Sequence, residues 1–362
     1  MTYIRRFSDL RLTDRPQVGG KCASLGELIH AGIEVPDGFA VTAGAFEAFR
    51  DQGTLRGDLK HIVRTVDPGR SSDLDAAHAR AIELVEATPM PQEVLDQIVG
   101  AYGELCEALG DKAVPVAVRS SGIAEDGHVT SFAGQQETYL WVVGARDVID
   151  NVRACWASLY TPQAIAYRHQ LPEDVAFEST LISVGVQAMV DAEVAGVAFT
   201  VSPRTGDRSV MAINASWGLG QAVVSGEVTP DEFWLSKISL EVTSSTVAHK
   251  TMQCVQSTVG RGVITIPVPA DQQDVACLTP ESIRELAEIA IRVEQHYGSP
   301  QDIEWARARA TATSPARIVL LQSRPETSWK KRQAESRAKT ASSAASSYLS
   351  VIHNAGTGAR KA

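Results

Sequence analysis

A chain of 362 residues that is 44% hydrophobic and 21% charged is long enough for roughly two or three subdomains around a sizeable core. It contains no uncharged apolar run of about 18 residues that could span a membrane. The net charge of −9 is unevenly placed: from Ser328 onward there are seven basic residues and one acid, Glu335, which leaves −15 on the preceding body. So acidic a body excludes general nucleic-acid binding and makes any cationic site on it local.

The opening MTYIRRFSDL has basic residues with no apolar stretch after them, which argues against a secretory leader. Five cysteines (Cys22, Cys106, Cys155, Cys254, Cys277), odd in number and without a CxxC, favour neither a disulfide framework nor zinc. A cytoplasmic protein with no membrane and no nucleic-acid partner is the expectation. In VGGKCASLGELIH, Gly19 and Gly20 break the chain before a helix in which Cys22, Leu25, Leu28 and Ile29 follow helical spacing. Lys21 then stands near a helix N-terminus. A cation gains nothing from the dipole there, so either an anion binds both, or Lys21 is a solvated lysine. A Walker A loop is excluded, since Arg15 stands five before Gly20 and Cys22 follows Lys21.

VPDGFAVT (35–42) reads as a short strand, with Thr42 as N-cap of the next helix. Residues 51–90 are polar and helix-like. Pro91 to Leu109 is amphipathic, with Val94, Leu95, Ile98, Val99, Tyr102, Leu105, Cys106 and Leu109 on one face and Gly110 as its stop. AVPVAVRSSGIAEDGHVTSFAGQQET (113–138) opens as a buried strand whose end carries Arg119, Ser120 and Ser121. A loop with Gly122, Gly127 and Gly134 follows. Such a loop can aim backbone N–H groups at a polyphosphate, and an arginine at its root adds a forked cation; an ordinary polar loop is the alternative.

Asp147 to His169 reads as a helix pair broken at Thr161 and Pro162. Strand-like runs follow at 181–190, 194–201, 209–214 and 231–236, the first two spaced as a hairpin. Helices followed by clustered hairpins predict an α+β fold rather than a doubly wound sheet. Gln187 has apolar neighbours on both sides, so it is expected to be buried and to bond either a base edge or backbone groups. ASWGLGQAVVSGEVTPDEF lacks the GxGxxG spacing, because Val223 stands where the third glycine belongs, and it reads as a cover or a connecting loop.

Thr279 to Gly298 has the N-cap and Pro280 of a helix start, with Ile283, Leu286, Ile289, Ala290 and Val293 inward. QDIEWA (301–306) and ARIVLLQSRP (316–325) read as antiparallel strands. Alternation puts Asp302 and Glu304 on one face, and Gln322 and Arg324 share a face as well. If these faces coincide, a carboxylate and an amide oxygen can hold Mg²⁺; a plain Glu304–Arg324 salt bridge is the alternative.

Six stretches in order, VGGKCASLGEL, VRSSGIAEDGHVTSFAGQQET, VGVQAMV, GVAFTVSPRTGD, ASWGLGQAVVSGEVTPDEF and QDIEWA with LQSRPET, resemble the N-terminal ATP-binding domain of the phosphoenolpyruvate synthase and pyruvate phosphate dikinase family. The resemblance covers roughly residues 3 to 327. It implies an ATP-grasp-like fold of two subdomains, 1–190 and 191–327, holding ATP and Mg²⁺, with 328–362 as a basic tail. By motif, Lys21, Arg119 and Arg324 resemble phosphate-binding, catalytic residues, while Gly134 and Thr138 match the loop over the phosphates. Gln187 resembles a nucleotide contact, and Glu304 and Gln322 the metal ligands.

Three departures from the family pattern stand out. Gln221 replaces a frequent acid after WGLG, the segment from Arg307 to Ala316 is long, and the swivel motif of two glycines followed by Ser-His is missing. The resemblance therefore implies a subunit that phosphorylates a histidine on a larger partner subunit, which carries the swivel domain and acceptor site. The two-subunit phenylphosphate synthases divide their chain in this way. A rifampicin-type phosphotransferase and a nucleotide-sensing subunit without turnover are the other readings.

Overall fold

The computed structural model of the protein describes residues 1–123, 137–171, 181–311 and 314–326. Gly134, His128 and the basic tail lie outside the described residues. Helices and antiparallel sheets are mixed in the α+β manner expected. The first sheet has the order β1-β2-β5-β3-β4, from β1 (Ile4–Arg6), β2 (Gly38–Val41), β3 (Val116–Gly122), β4 (Thr138–Val142) and β5 (Ile182–Ala188). The second has the order β13-β12-β6-β7-β8-β9, from β6 (Ala192–Phe199), β7 (Val210–Trp217), β8 (Asp231–Ser236), β9 (Val242–Thr246), β12 (Gln301–Ala308) and β13 (Arg317–Pro325). Strands β10 (Met252–Gln256) and β11 (Val263–Pro267) form a separate hairpin.

Each large sheet has its own core. On the first pack α2 (Ala43–Arg50), α3 (Leu55–Thr65), α4 (Ser71–Ala87), α5 (Gln92–Leu109), α6 (Ala145–Ala157) and α7 (Pro162–His169). Trp156 is central to this layer, its ring 5.0 Å from that of Phe49 and 5.8 Å from that of Phe46. On the second sheet lies α8 (Pro280–Tyr297), which buries Ile283, Leu286, Ala290 and Val293 against Ile303 and Trp305. Its start is capped as expected, Thr279 Oγ1 accepting from Ser282 N. A small-residue cluster, Ala192, Ala195, Ala306 and Val319 around Trp141, joins the two layers. No described helix is long and apolar enough to cross a membrane, and all five cysteines are buried thiols.

Helix α1 (Arg15–His30) touches both layers and sets the site. It is kinked at Gly19, whose φ of 73° and ψ of 170° leave the helical region. A Cβ there would lie 2.2 Å from Ser121 Oγ and 2.4 Å from Ser121 O, so only glycine allows both the turn and the approach to β3. Ser121 Oγ fills the break, donating to Val18 O at 2.9 Å and accepting from Cys22 N at 3.4 Å. Beyond the kink the helix runs to β13, where Ser24 Oγ donates to Ser323 O at 2.7 Å.

Three local expectations are corrected and one, the end of β3, holds. The runs at 181–190 and 194–201 do not pair: β5 lies between β2 and β3, β6 between β12 and β7, and the chain crosses between sheets over Met189 to Asp191. Arg119, Ser120 and Ser121 lie at the end of β3, as expected, and β3 stays paired with β5 as far as Gly122. On α5, Val99 (47% exposed) and Leu109 (45%) fall outside the buried face, since the sheet covers a narrower stripe than the apolar pattern. Thr42 precedes α2 but makes no side-chain cap hydrogen bond.

Candidate active site

The β12–β13 ladder builds the acidic half of the site. Its register sets Glu304 opposite Gln322 and Asp302 opposite Arg324, so the two polar faces coincide. The first sheet supplies the basic half through β3. Arg119 Nη2 donates to Glu304 Oε2 at 2.7 Å and to Gln322 Oε1 at 2.9 Å, and Nη1 donates to Leu321 O at 3.2 Å. Arg324 donates from Nε to Asp302 Oδ2 at 2.8 Å, so in place of the alternative Glu304–Arg324 bridge there are the pairs Arg119–Glu304 and Arg324–Asp302. Lys21, held by the kink, donates from Nζ to Ser120 O at 3.0 Å.

Burial pushes the Glu304 carboxyl up, but the Arg119 guanidinium, with Lys21 and Arg324 behind it, holds it below the usual carboxylate range. Asp302 moves the other way. Burial raises it, and Arg324 only partly offsets this against the nearby charges of Glu304 and Glu326.

Beside this cluster a cavity of about 490 Å³ lies between the sheets. Arg119, Thr138, Leu140 and Gln187 line it from the first sheet, and Ala195, Glu304 and Leu321 from the second. Its cover is the WGLG segment. Gly218, with φ 77°, approaches so closely that a Cβ would sit 2.2 Å from Cys254 O, and Leu219 N donates to that carbonyl at 2.8 Å. The helical turn Gln221–Val224 follows and puts Gln221 on the cavity wall. Lys21, Arg119, Gln187 and Gln322 also share a small adjoining recess.

Gln187 is 3% exposed, and its Nε2 has no hydrogen-bond partner among the described residues. A buried amide donor facing a cavity is costly unless a ligand accepts from it. Backbone groups, the other expected partner, do not. The lining suits a nucleotide: apolar walls at Leu140 and Ala195, an unsatisfied amide donor at Gln187, and cations at one end.

For a metal ion, no group of three or more His, Cys, Asp or Glu occurs among the described residues. Glu304 and Gln322 offer two neighbouring oxygens. That set fits Mg²⁺ completed by phosphate and water oxygens, and does not fit a cation held by protein alone.

Of the residues singled out by sequence, Lys21, Arg119, Thr138, Gln187, Glu304, Gln322 and Arg324 lie in or beside this cluster, whereas Gly134 is outside the described residues. Sequence reasoning gave no role to Asp302, although its alternation with Glu304 was visible. It also missed the apolar wall at Leu140 and Met189, which carries no motif.

Residues 15–345 match the family model described as pyruvate phosphate dikinase, AMP/ATP-binding domain. The chain is 40% identical over 339 residues to a probable phosphoenolpyruvate synthase of Methanocaldococcus jannaschii, covering 94% of this chain and 28% of that protein. It is 39% identical over 365 residues to the phosphoenolpyruvate synthase of Pyrococcus furiosus, covering 91% and 44%. A probable phosphoenolpyruvate synthase of Methanothermobacter thermautotrophicus is 41% identical over 325 residues, with 90% and 46% covered. The chain thus spans less than half the length of each of these relatives.

Proposed function

Because the chain belongs to the family of pyruvate phosphate dikinase AMP/ATP-binding domains, we propose that it is the MgATP-binding, phosphoryl-donating part of a histidine phosphotransferase. The observation that carries this reading is the meeting of Arg119, Glu304 and Gln322 from two sheets at the end of a cavity that also presents an unsatisfied Gln187 amide. The fold is read as ATP-grasp-like, with its subdomain boundary at residues 190 and 191, where the chain leaves the first sheet.

In this reading Gln187 donates to the base, and Lys21, Arg119 and Arg324 neutralise the polyphosphate. Thr138 and the glycine loop carrying Gly134 cover the phosphates. Glu304 and Gln322 hold Mg²⁺, which when bound adds charge neutralisation at the phosphoryl oxygens. The acceptor is a histidine outside this region, on a larger partner subunit or a further part of the same polypeptide. ATP and water go to AMP and phosphate, and one phosphoryl group remains on the histidine for a final acceptor.

Two final acceptors are distinguished by what supports them. The relatives are named for phosphoenolpyruvate synthesis, which favours pyruvate. Phenol rests on the likeness to two-subunit phenylphosphate synthases. Supplying each to the chain with its histidine-bearing partner and following phosphorylated product separates them.

The binding step is tested by calorimetry. ATP is expected to bind in a magnesium-dependent way, and Lys21→Ala or Arg119→Ala to lose roughly 1.5 to 3 kcal/mol, about ten- to a hundredfold in affinity. Unchanged affinity in both variants contradicts the assignment.

A further inference from the structure

We propose that Arg119 is a placeholder for the metal: in the nucleotide-free protein it holds both oxygen ligands, Glu304 and Gln322, and the divalent cation enters only once a polyphosphate draws the guanidinium away. The inference rests on the MgATP reading and adds an order of events to it. Its basis is the position of one nitrogen. Arg119 Nη2 donates to Glu304 Oε2 at 2.7 Å and to Gln322 Oε1 at 2.9 Å, and these are the side chains that would hold the cation. With the arginine there, a second cation meets both steric exclusion and repulsion. Only 17% of the Arg119 side chain and 22% of the Glu304 side chain are exposed, so solvent screens little of this.

A second, independent observation is that the clamp leaves one donor of the arginine unused. Its Nε is buried and has no hydrogen-bond partner among the described residues. A guanidinium carries five donors in a fixed fork, and phosphate oxygens match that fork. The cavity into which Arg119 faces therefore offers it more in the presence of polyphosphate than the present pairing does. Once the arginine moves, Glu304 and Gln322 regain free lone pairs, and the phosphate supplies further oxygens for the metal. Lys21 and Arg324 add positive charge nearby, but their contacts to Ser120 O and Asp302 Oδ2 do not engage the metal pair.

Free Mn²⁺, read by electron paramagnetic resonance on the full chain without nucleotide, tests this. Arg119→Gln is expected to bind Mn²⁺ at least about tenfold more tightly than wild type, since it loses a competing unit charge at contact distance. Adding Glu304→Gln should remove that gain. Arg324→Gln, which removes a nearby charge paired with Asp302, should give no comparable gain. Mn²⁺ binding by Arg119→Gln no tighter than wild type overturns the proposal, as does an equal gain from Arg324→Gln.

Should Arg119→Gln fail to fold, Glu304→Gln alone gives the second test. It keeps the side-chain shape but loosens the hold on Arg119, so ATP in excess chelator should bind at least about threefold more tightly than to wild type; no gain overturns the proposal. Wild-type MgATP binding measured in parallel separates the two levels. If MgATP binds and neither variant gains, the placeholder fails and the ATP reading stands. If wild type binds no ATP while Arg119→Gln gains Mn²⁺, the ATP reading fails and the arginine still guards a metal site.

Discussion

Replacing Lys250 by Met is expected to lower the free energy of unfolding by about 3 to 5 kcal/mol, the range found when one partner of a buried ion pair is removed. Lys250 and Asp231 have side chains that are 0% exposed, and Nζ lies 2.6 Å from Oδ1. Lys250 Nζ also donates to Ala248 O at 3.0 Å, while Asp231 accepts from Ala248 N at 2.9 Å and from Cys277 N at 2.8 Å. One carboxylate therefore ties the start of β8 to the chain before β10 and to the chain before α8. Methionine fills the space but leaves that carboxylate buried without its counter-charge. Adding Asp231→Asn to the Lys250→Met background should restore part of the loss, because it removes the stranded charge and keeps an acceptor for one of the two amides, those of Ala248 and Cys277. Urea unfolding at unchanged slope measures both steps. A single-variant loss below about 1 kcal/mol, or no recovery in the double variant, shows that the pair does not hold these segments as argued.

That pair marks a limit of reading the sequence. Hydropathy assigns both a lysine and an aspartate to the surface, and nothing local shows that they meet in the interior. The β12–β13 ladder, in contrast, was legible because register and alternation are local: residues 301–306 and 316–325 fixed which side chains share a face. Which cation would meet Glu304 was not legible. Arg324 on the neighbouring strand was the obvious choice, yet Arg119, 185 residues away, takes the position, because that contact depends on how two sheets are stacked. The same reason explains the mistaken hairpin. A short link between two strands is compatible with a tight turn and with a crossing from one sheet to another, and only the neighbours of β5 and β6 decide between them. Gln187 was expected to be buried from its apolar flanks, but its unsatisfied amide is a fact of three-dimensional packing.

Replacing Glu304 by Gln is expected to reduce phosphorylation of a histidine-bearing partner by about 10² to 10³-fold, the scale on which fixed charge stabilises a transferring group. ATP binding in magnesium should fall by no more than about tenfold, because in the proposed reading Lys21, Arg119 and Arg324 would still meet the polyphosphate and Gln keeps an oxygen at that position. The difference between these effects is the signature of a group that matters most during transfer. The pH profile should agree. In the nucleotide-free protein Glu304 is held below the usual carboxylate range, chiefly by Arg119 against the opposing effect of burial; with ATP bound the guanidinium would move to the polyphosphate and Mg²⁺ would take over that stabilising charge. Transfer down to about pH 5 should show no inflection from this group.

Without a partner, little AMP should form. In-line attack needs a nucleophile at contact distance, and no described histidine lines the cavity. His30 ends α1 with its Nδ1 on Gly26 O, and the Nδ1 of His169 sits on Val63 O. The measurement is labelled ATP with the purified chain, with and without the partner, followed as AMP and acid-labile protein phosphate. Strong AMP formation and phosphohistidine on the isolated chain refute an external acceptor. Equal loss of binding and transfer in Glu304→Gln assigns the residue to ground-state binding rather than to transfer.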